Sequence, residues 1–114
     1  NKVDNLMQKK LLSKPKNIII KIKRYTTIRN MLFKVSKMVH YPELLDLSQF
    51  FCGNGLNEYV LYGVINHVGM INSGHYYSYV RDIGDSNEEN AKQWYCCNDS
   101  RVDKISNARA FISP

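Results

Sequence analysis

The sequence predicts an α+β fold that is dominated by antiparallel strands and has few, short helices. Short runs of β-branched and aromatic residues recur along the chain, and some alternate apolar with polar positions as half-buried strands do. Glycine, asparagine and proline separate these runs and indicate turns. The 114 residues are 44% hydrophobic and 23% charged, which suits one globular core and is too short for two.

The first half of the chain predicts two paired strands. Residues 17–25 are β-branched and then alternate, which is typical of a strand, and residues 26–30 suit a turn. Apolar residues recur at even spacing over residues 31–39, so we expect a second strand there that pairs back on the first. Tyr41-Pro42 ends this pattern. A compact apolar cluster follows, made of Leu44, Leu45, Leu47 and Phe50.

The second half predicts loops between further strands. Residues 52–57 and 69–74 are rich in glycine and asparagine and indicate loops. Residues 59–65 are apolar on both faces, so we expect a central, buried strand. Residues 76–80 and 93–97 predict two more strands. The remaining core positions are expected to be Val102, Ile105, Phe111 and Ile112.

The last two of these strands flank a polar connector, residues 84–92, and should form a hairpin. In antiparallel pairing, opposed residue numbers have a constant sum. A register that places His75 opposite Asn98 centres the turn in the connector and sets Tyr79 against Trp94, a favourable aromatic pair. A shift of two residues would change the partners but would keep the strand ends close.

This hairpin would let an imidazole meet a carboxamide. An asparagine oxygen that accepts from one imidazole nitrogen fixes the tautomer and aims the other nitrogen outward, as in Cys-His-Asn peptidases. The alternative is structural, with His75 at the end of a strand and Asn98 at the start of a turn. Spacing alone favours the structural alternative.

The cysteines predict neither a disulfide framework nor a metal site. Cys52, Cys96 and Cys97 are odd in number, and adjacent cysteines bridge only with strain. No pair has zinc-ligand spacing, so we expect a reduced intracellular protein, cytoplasmic or nuclear, without metal or cofactor. No apolar run approaches the roughly 20 residues of a membrane helix, so no membrane span is expected.

The net charge of +6 is unevenly distributed and raises nucleic acid as a possible partner. Residues 1–40 hold eleven Lys and Arg against one acid, whereas residues 41–114 hold five against nine. However, Lys21 and Lys23 alternate with isoleucines, as the solvent face of a strand does, and no RNA-recognition signature accompanies the charge. The sequence therefore does not favour a nucleic-acid module.

Several segments in order resemble the ubiquitin-specific proteases. The histidine box of that family is similar to Gly74-His75-Tyr76, Tyr79-Val80, Trp94-Tyr95 and Asn98-Asp99-Ser100-Arg101-Val102. Further family segments resemble residues 15–25, 41–50 and 59–69, so the likeness runs from about Leu12 to Val102. The resemblance implies a papain-like cysteine peptidase, of which this chain is the palm-like half.

The resemblance assigns roles to five residues. His75 would be the general base, Asn98 the residue that orients it and Asp99 the adjacent assisting acid. Gly74 and Tyr76 would line the channel that receives the Gly-Gly tail of ubiquitin, where a glycine lets an extended backbone approach closely. The family places mobile loops over this channel at positions that correspond to loops of this chain.

The family nucleophile is a cysteine at the start of a helix, and no residue of this sequence matches it. The resemblance therefore implies that residues 1–114 are the C-terminal part of a catalytic domain, without activity alone. Expected partners are ubiquitin, ubiquitinated proteins and the nucleophile-bearing remainder of the domain. The alternative is a catalytically inactive ubiquitin-binding scaffold. His67 also falls in a family motif and is interpreted as structural, and His40 as a surface residue.

Overall fold

In a computed structural model that describes residues 7–81, 83 and 92–113, ten short strands form four antiparallel sheets. The strands are β1 Tyr25–Ile28, β2 Met31–Lys34, β3 Val39–His40, β4 Leu44–Asp46, β5 Glu58–Val60, β6 Gly63–Gly69, β7 Gly74–Arg81, β8 Trp94–Asn98, β9 Arg101–Ile105 and β10 Ile112–Ser113. The described helices are a 3-10 turn, Ser48–Phe50, and the four-residue helix α1, Asn107–Ala110. The predicted fold class is confirmed. Within these residues, no helix has the length and apolar character to cross a membrane.

The first hairpin is shorter than predicted and lies further along the chain. Strands β1 and β2 pair around Arg29 and Asn30, whose positive φ angles of 49° and 62° suit the tight turn of a two-residue hairpin. The strand expected over residues 17–25 is wrong except for its last residue, because residues 17–24 have no ladder partner within the described chain. A strand requires a neighbour to accept its hydrogen bonds, and local alternation does not supply one. The second expected strand, residues 31–39, is divided between β2 and β3.

Two small sheets join distant parts of the chain. Strand β3 pairs with β10, and β4 pairs with β5. The loop expected over residues 52–57 is present. The apolar cluster that precedes it is only partly buried: Leu47 is buried, whereas Phe50 is 47% exposed and its neighbour Phe51 takes the buried position.

The longest strands form one four-stranded sheet in the order β6-β7-β8-β9. The prediction of a central strand over residues 59–65 is wrong. Tyr59 and Val60 lie in β5, and Gly63 to Ile65 begin β6, which is an edge strand on which Ile65 is 79% exposed. Apolar residues on both faces do not specify the place of a strand in a sheet, because that place depends on the other strands.

One face of this sheet carries the main core. Val64, Tyr79 and Trp94 pack there with Ala110 of α1, and the Phe111 ring meets Trp94 edge-on at a centroid distance of 5.7 Å. Ile105 and Phe111 are partly buried against this core, as predicted. Val102, also predicted for the core, is 61% exposed because its register with Cys97 puts it on the opposite face. The Ile112 side chain lies outside what the structure describes.

The molecule is thin and extended for its length. Its Cα radius of gyration is 18.1 Å, and its principal extents are 61 × 44 × 20 Å. A compact domain of about this length has a radius of gyration near 13 Å. Much apolar surface consequently stays exposed, including Ile19, Ile20, Ile65 and Met70.

Candidate active site

The predicted histidine and asparagine meet at one end of the buried sheet face. His75 lies near the start of β7, and Asn98 ends the neighbouring strand β8. The imidazole Nε2–H donates to the Asn98 Oδ1 at 2.5 Å. Both residues lie on the face that carries Tyr79 and Trp94, and the His75 side chain is 46% exposed. The imidazole is therefore oriented by the protein and open to a reacting group.

The register that predicted this contact is wrong by two residues. Tyr79 opposes Cys96 rather than Trp94, and Trp94 opposes Arg81. His75 therefore reaches Asn98 diagonally, a distance that long side chains span across neighbouring strands. A two-residue shift leaves every side chain on its predicted face, which explains why the contact survives the error. The predicted connector lies outside the described residues, apart from Lys92.

The adjacent acid plays a lesser part in the geometry. Asp99 begins the turn between β8 and β9 with a φ of 52°, a left-handed conformation that aspartate tolerates. Its Oδ2 is 3.8 Å from the same Nε2 that donates to Asn98. That distance exceeds a hydrogen bond, and the Asp99 side chain is 79% exposed. Asp99 therefore adds a solvent-screened negative charge beside the imidazole ring. The orientation of the ring is fixed by Asn98.

Gly74 is required by a contact that the sequence did not reveal. The His67 imidazole lies over it, so a Cβ at Gly74 would overlap His67 Nε2 and would also stand 2.6 Å from the Val68 carbonyl oxygen. The His67 ring packs on Tyr76 at a centroid distance of 4.6 Å. These contacts are consistent with a structural interpretation of His67, and they give Gly74 a packing role irrespective of any bound peptide.

Tyr76 faces away from the core and is 67% exposed. It borders a shallow groove that Ile65, Cys97 and Asp99 also line. The groove lies on the sheet face opposite to His75, since Tyr76 and Cys97 point away from the face that carries the imidazole.

The described cysteines do not reach the imidazole. Cys96 shares the His75 face but opposes Tyr79, which lies four residues and about 13 Å further along β7. Cys97 faces the opposite side with Ser78, and Cys52 is exposed in its loop. Among the described residues there is no cluster of three or more potential metal ligands. The site thus holds an imidazole and the amide that orients it, without a described thiol in reach.

Next to His75 on the same face, Tyr77 is held neutral. Burial raises the pKa of Tyr77 to about 12, and a hydrogen bond with Tyr79 adds to the effect. Tyr77 therefore keeps its proton far above neutral pH.

Lys34 also belongs to this region, which its sequence pattern did not predict. Its ammonium donates to the carbonyl oxygens of His67 at 2.7 Å and of Gly69 at 3.2 Å. The only signal in the sequence was an alternating strand, which assigns a lysine to solvent. Contacts between separate hairpins are not visible in such a pattern.

Comparison with known proteins identifies relatives of the whole described region. The family model for ubiquitin carboxyl-terminal hydrolase matches residues 3–113. Ubiquitin carboxyl-terminal hydrolase 25 of Arabidopsis thaliana is 37% identical over 99 residues, which are 83% of this chain and 14% of that protein. Human Ubl carboxyl-terminal hydrolase 18 is 31% identical over 106 residues, 85% of this chain and 27% of that protein. The chain thus spans about a quarter or less of the length of these relatives.

Solved structures with the same fold include SAGA DUB modules. A yeast module matches with a TM-score of 0.63 and 26% identity, over 79% of this chain and 20% of that chain. A module bound to monoubiquitin matches with a TM-score of 0.65 and 26% identity, over 79% of this chain and 20% of that chain. The likeness therefore extends from sequence motifs to the arrangement of strands.

Proposed function

The chain belongs to the ubiquitin carboxyl-terminal hydrolase family, in its ubiquitin-specific protease branch, and from this we propose that it is the histidine-bearing part of a deubiquitinating thiol protease. The enzyme would hydrolyse the isopeptide or peptide bond after the C-terminal glycine of ubiquitin. The single observation that carries the proposal is the contact between His75 Nε2 and Asn98 Oδ1. It engages one imidazole nitrogen and leaves Nδ1 to accept a proton.

The proposed reaction uses His75 twice. Its Nδ1 accepts the proton of a cysteine thiol, and the thiolate attacks the carbonyl carbon of the terminal glycine. The resulting imidazolium donates that proton to the leaving lysine amine, which breaks the C–N bond and leaves a thioester. Water, deprotonated by the same imidazole, then attacks the thioester and releases the ubiquitin carboxylate together with the thiol. Asn98 holds the ring throughout, and the Asp99 carboxylate lies 3.8 Å from Nε2.

The nucleophile is proposed to come from another part of the protein. The described cysteines do not reach the imidazole, and the relatives are about four to seven times longer than the matched segment. The thin shape and the exposed isoleucines also suit a domain whose core is completed elsewhere.

Ubiquitin is the proposed substrate, and Gly74 and Tyr76 are the proposed contacts for its C-terminal tail. The exposure of Tyr76 beside His75 in the chain supports this assignment. Likeness to a module solved with bound monoubiquitin supports the substrate class.

The test uses the full-length protein and a ubiquitin that carries a fluorophore on its C-terminus. We expect turnover by the wild type and loss of nearly all turnover in His75→Ala. His40→Ala is the matched control, since His40 is an exposed histidine of β3, and it should keep wild-type activity. Equal activity of His75→Ala and the control would contradict the proposal.

Two further measurements separate the enzyme from an inactive scaffold. A ubiquitin with a C-terminal electrophile should capture the full-length wild type covalently, whereas a scaffold would bind ubiquitin without capture or turnover. The isolated 114 residues should not hydrolyse the fluorogenic substrate. Turnover by that fragment, retained after replacement of Cys52, Cys96 and Cys97 by serine, would refute the need for a nucleophile elsewhere.

A further inference from the structure

We infer that Lys34 is a positioning residue for His75, an inference that rests on the proposed catalytic role of that histidine. Lys34 ends strand β2 of the first hairpin and belongs to a different sheet from His75. Its ammonium nevertheless contacts the strand that pairs with the histidine.

Strand β6 is an edge of its sheet, so half of its backbone groups have no partner strand. Two backbone hydrogen bonds mark the bonded positions at the ends of its pairing with β7. The Arg81 N–H donates to the Tyr62 carbonyl at 3.0 Å, and the Met70 N–H donates to the Ser73 carbonyl at 2.9 Å. Because bonded and non-bonded pairs alternate in an antiparallel ladder, every second residue between them faces β7.

This alternation makes Val68 and His75 a hydrogen-bonded pair, in agreement with their register. The residues on either side of Val68, namely His67 and Gly69, direct their carbonyl groups away from β7 to the open edge. These are the two carbonyl groups that receive Lys34 Nζ, at 2.7 and 3.2 Å. The Lys34 ammonium thus pairs with two carbonyl groups on the open edge of β6, one on each side of the residue that pairs with His75.

The contact fixes the imidazole through the backbone. Hydrogen bonds from a cation are shorter and stronger than neutral ones, so Lys34 holds the end of β6 firmly. The chain then turns sharply at Gly69, whose φ is +96°, and returns through Gly74 to His75. Loss of the ammonium would let this hairpin end separate from the rest of the sheet, while Asn98 remains on β8. The His75 ring would then lose its alignment with Asn98 and with the thiol.

The test compares three variants of the full-length protein. Lys34→Met keeps the side-chain length and removes the donors, Lys34→Arg keeps a cationic donor, and Lys37→Met is the matched control. Lys37 is exposed, and its ammonium makes no hydrogen bond or ion pair within the described residues. We expect Lys34→Met to lower kcat by between about 10- and 100-fold, with KM within about twofold, because small displacements of catalytic groups have effects of this size. Lys34→Arg should recover most of the lost rate, and Lys37→Met should equal the wild type.

A second readout does not depend on ubiquitin. The rate at which iodoacetamide alkylates the catalytic thiol reports how well His75 accepts its proton, and it should fall in Lys34→Met but not in Lys37→Met. Each rate is divided by the concentration of protein that the electrophilic ubiquitin captures at completion, so that unfolded molecules do not contribute. If Lys34→Met does not fold, Lys34→Gln is tested instead. Its kcat and alkylation rate should likewise be lower than those of Lys37→Met.

Two results would overturn the inference. The first is an unchanged kcat and alkylation rate in Lys34→Met. The second is a loss that disappears once activity is referred to the captured fraction, since that would make Lys34 a stabilising residue only. Full activity of His75→Ala would instead overturn the proposed function, so the two failures are distinguishable.

Discussion

Replacement of Asn98 by alanine removes the group that orients the proposed general base. The variant loses the oxygen that accepts from His75 Nε2 at 2.5 Å. This bond matters most after the imidazole has taken the thiol proton, because the donor is then a cation. Hydrogen bonds to charged groups contribute about 1.5–3 kcal/mol. At 1.36 kcal/mol per factor of ten, kcat should fall by about 13- to 160-fold.

The geometry predicts a much smaller effect for the neighbouring acid. Asp99 Oδ2 lies 3.8 Å from Nε2, and both side chains are substantially exposed, at 46% for His75 and 79% for Asp99. Exposed ion pairs of this kind contribute about 0.2–1 kcal/mol. Asp99→Ala should therefore lower kcat by only about 1.4- to 5-fold.

The assay measures kcat and KM separately on the full-length protein with a ubiquitin-fluorophore substrate. Neither variant should change KM by more than about twofold, because the lost interactions strengthen as the imidazole becomes charged. Asn17→Ala is the control, since Asn17 is exposed and lies outside the four-stranded sheet. A larger loss of kcat in Asp99→Ala than in Asn98→Ala would mean that the acid rather than the amide orients the ring, and would contradict this prediction.

Three other substitutions test separate contacts. Gly74→Ala should abolish activity, because the added Cβ would stand 2.6 Å from the Val68 carbonyl oxygen and displace His67 as well, and wild-type turnover would contradict this. Glu43→Gln should lower the free energy of unfolding by about 1–3 kcal/mol in urea titrations, because it weakens the 2.7 Å contact of the buried Arg81 guanidinium with a half-exposed carboxylate, and an unchanged midpoint would exclude that role. Tyr77 keeps its proton to about pH 12 when folded, against about 10 when unfolded, so its contribution to stability is complete below pH 10 and declines as the pH rises toward 12. Tyr77→Phe should lose less stability than the wild type between pH 10 and 12, and parallel curves would show that Tyr77 titrates normally.

The contact between His75 and Asn98 could be predicted from the sequence because it depends only on which face of the sheet each side chain occupies, and faces alternate with every residue. Two strands joined by a polar connector form a hairpin, and His75 and Asn98 stay on one face for any even shift of register. The register itself, with Tyr79 opposite Cys96, could not be obtained by counting residues. It depends on how the connector divides between turn and strand, which its polar composition does not specify.

The errors elsewhere share a different physical cause. Residues 17–24 and 59–65 have strand composition, but composition describes what a segment prefers and not which neighbour it finds. The first segment has no ladder partner within the described chain, and the second lies partly on a sheet edge. Lys34 was missed for the same reason. Its contacts with the carbonyl groups of His67 and Gly69 exist only after two hairpins have come together.

These features are connected if the proposed nucleophile-bearing part of the protein packs on this chain. Residues 18–22 comprise four isoleucines and one lysine and have no ladder partner among the described residues. Their backbone groups require a hydrogen-bond partner when they are buried. Exposed apolar side chains such as Ile19 and Ile65 would leave water on the same contact. A segment that covered this surface would bury it and, in the same step, could bring a thiol to His75 Nδ1. Assembly of the core and assembly of the catalytic site would then be one event, which accounts for a chain that carries an oriented base with no described thiol in reach.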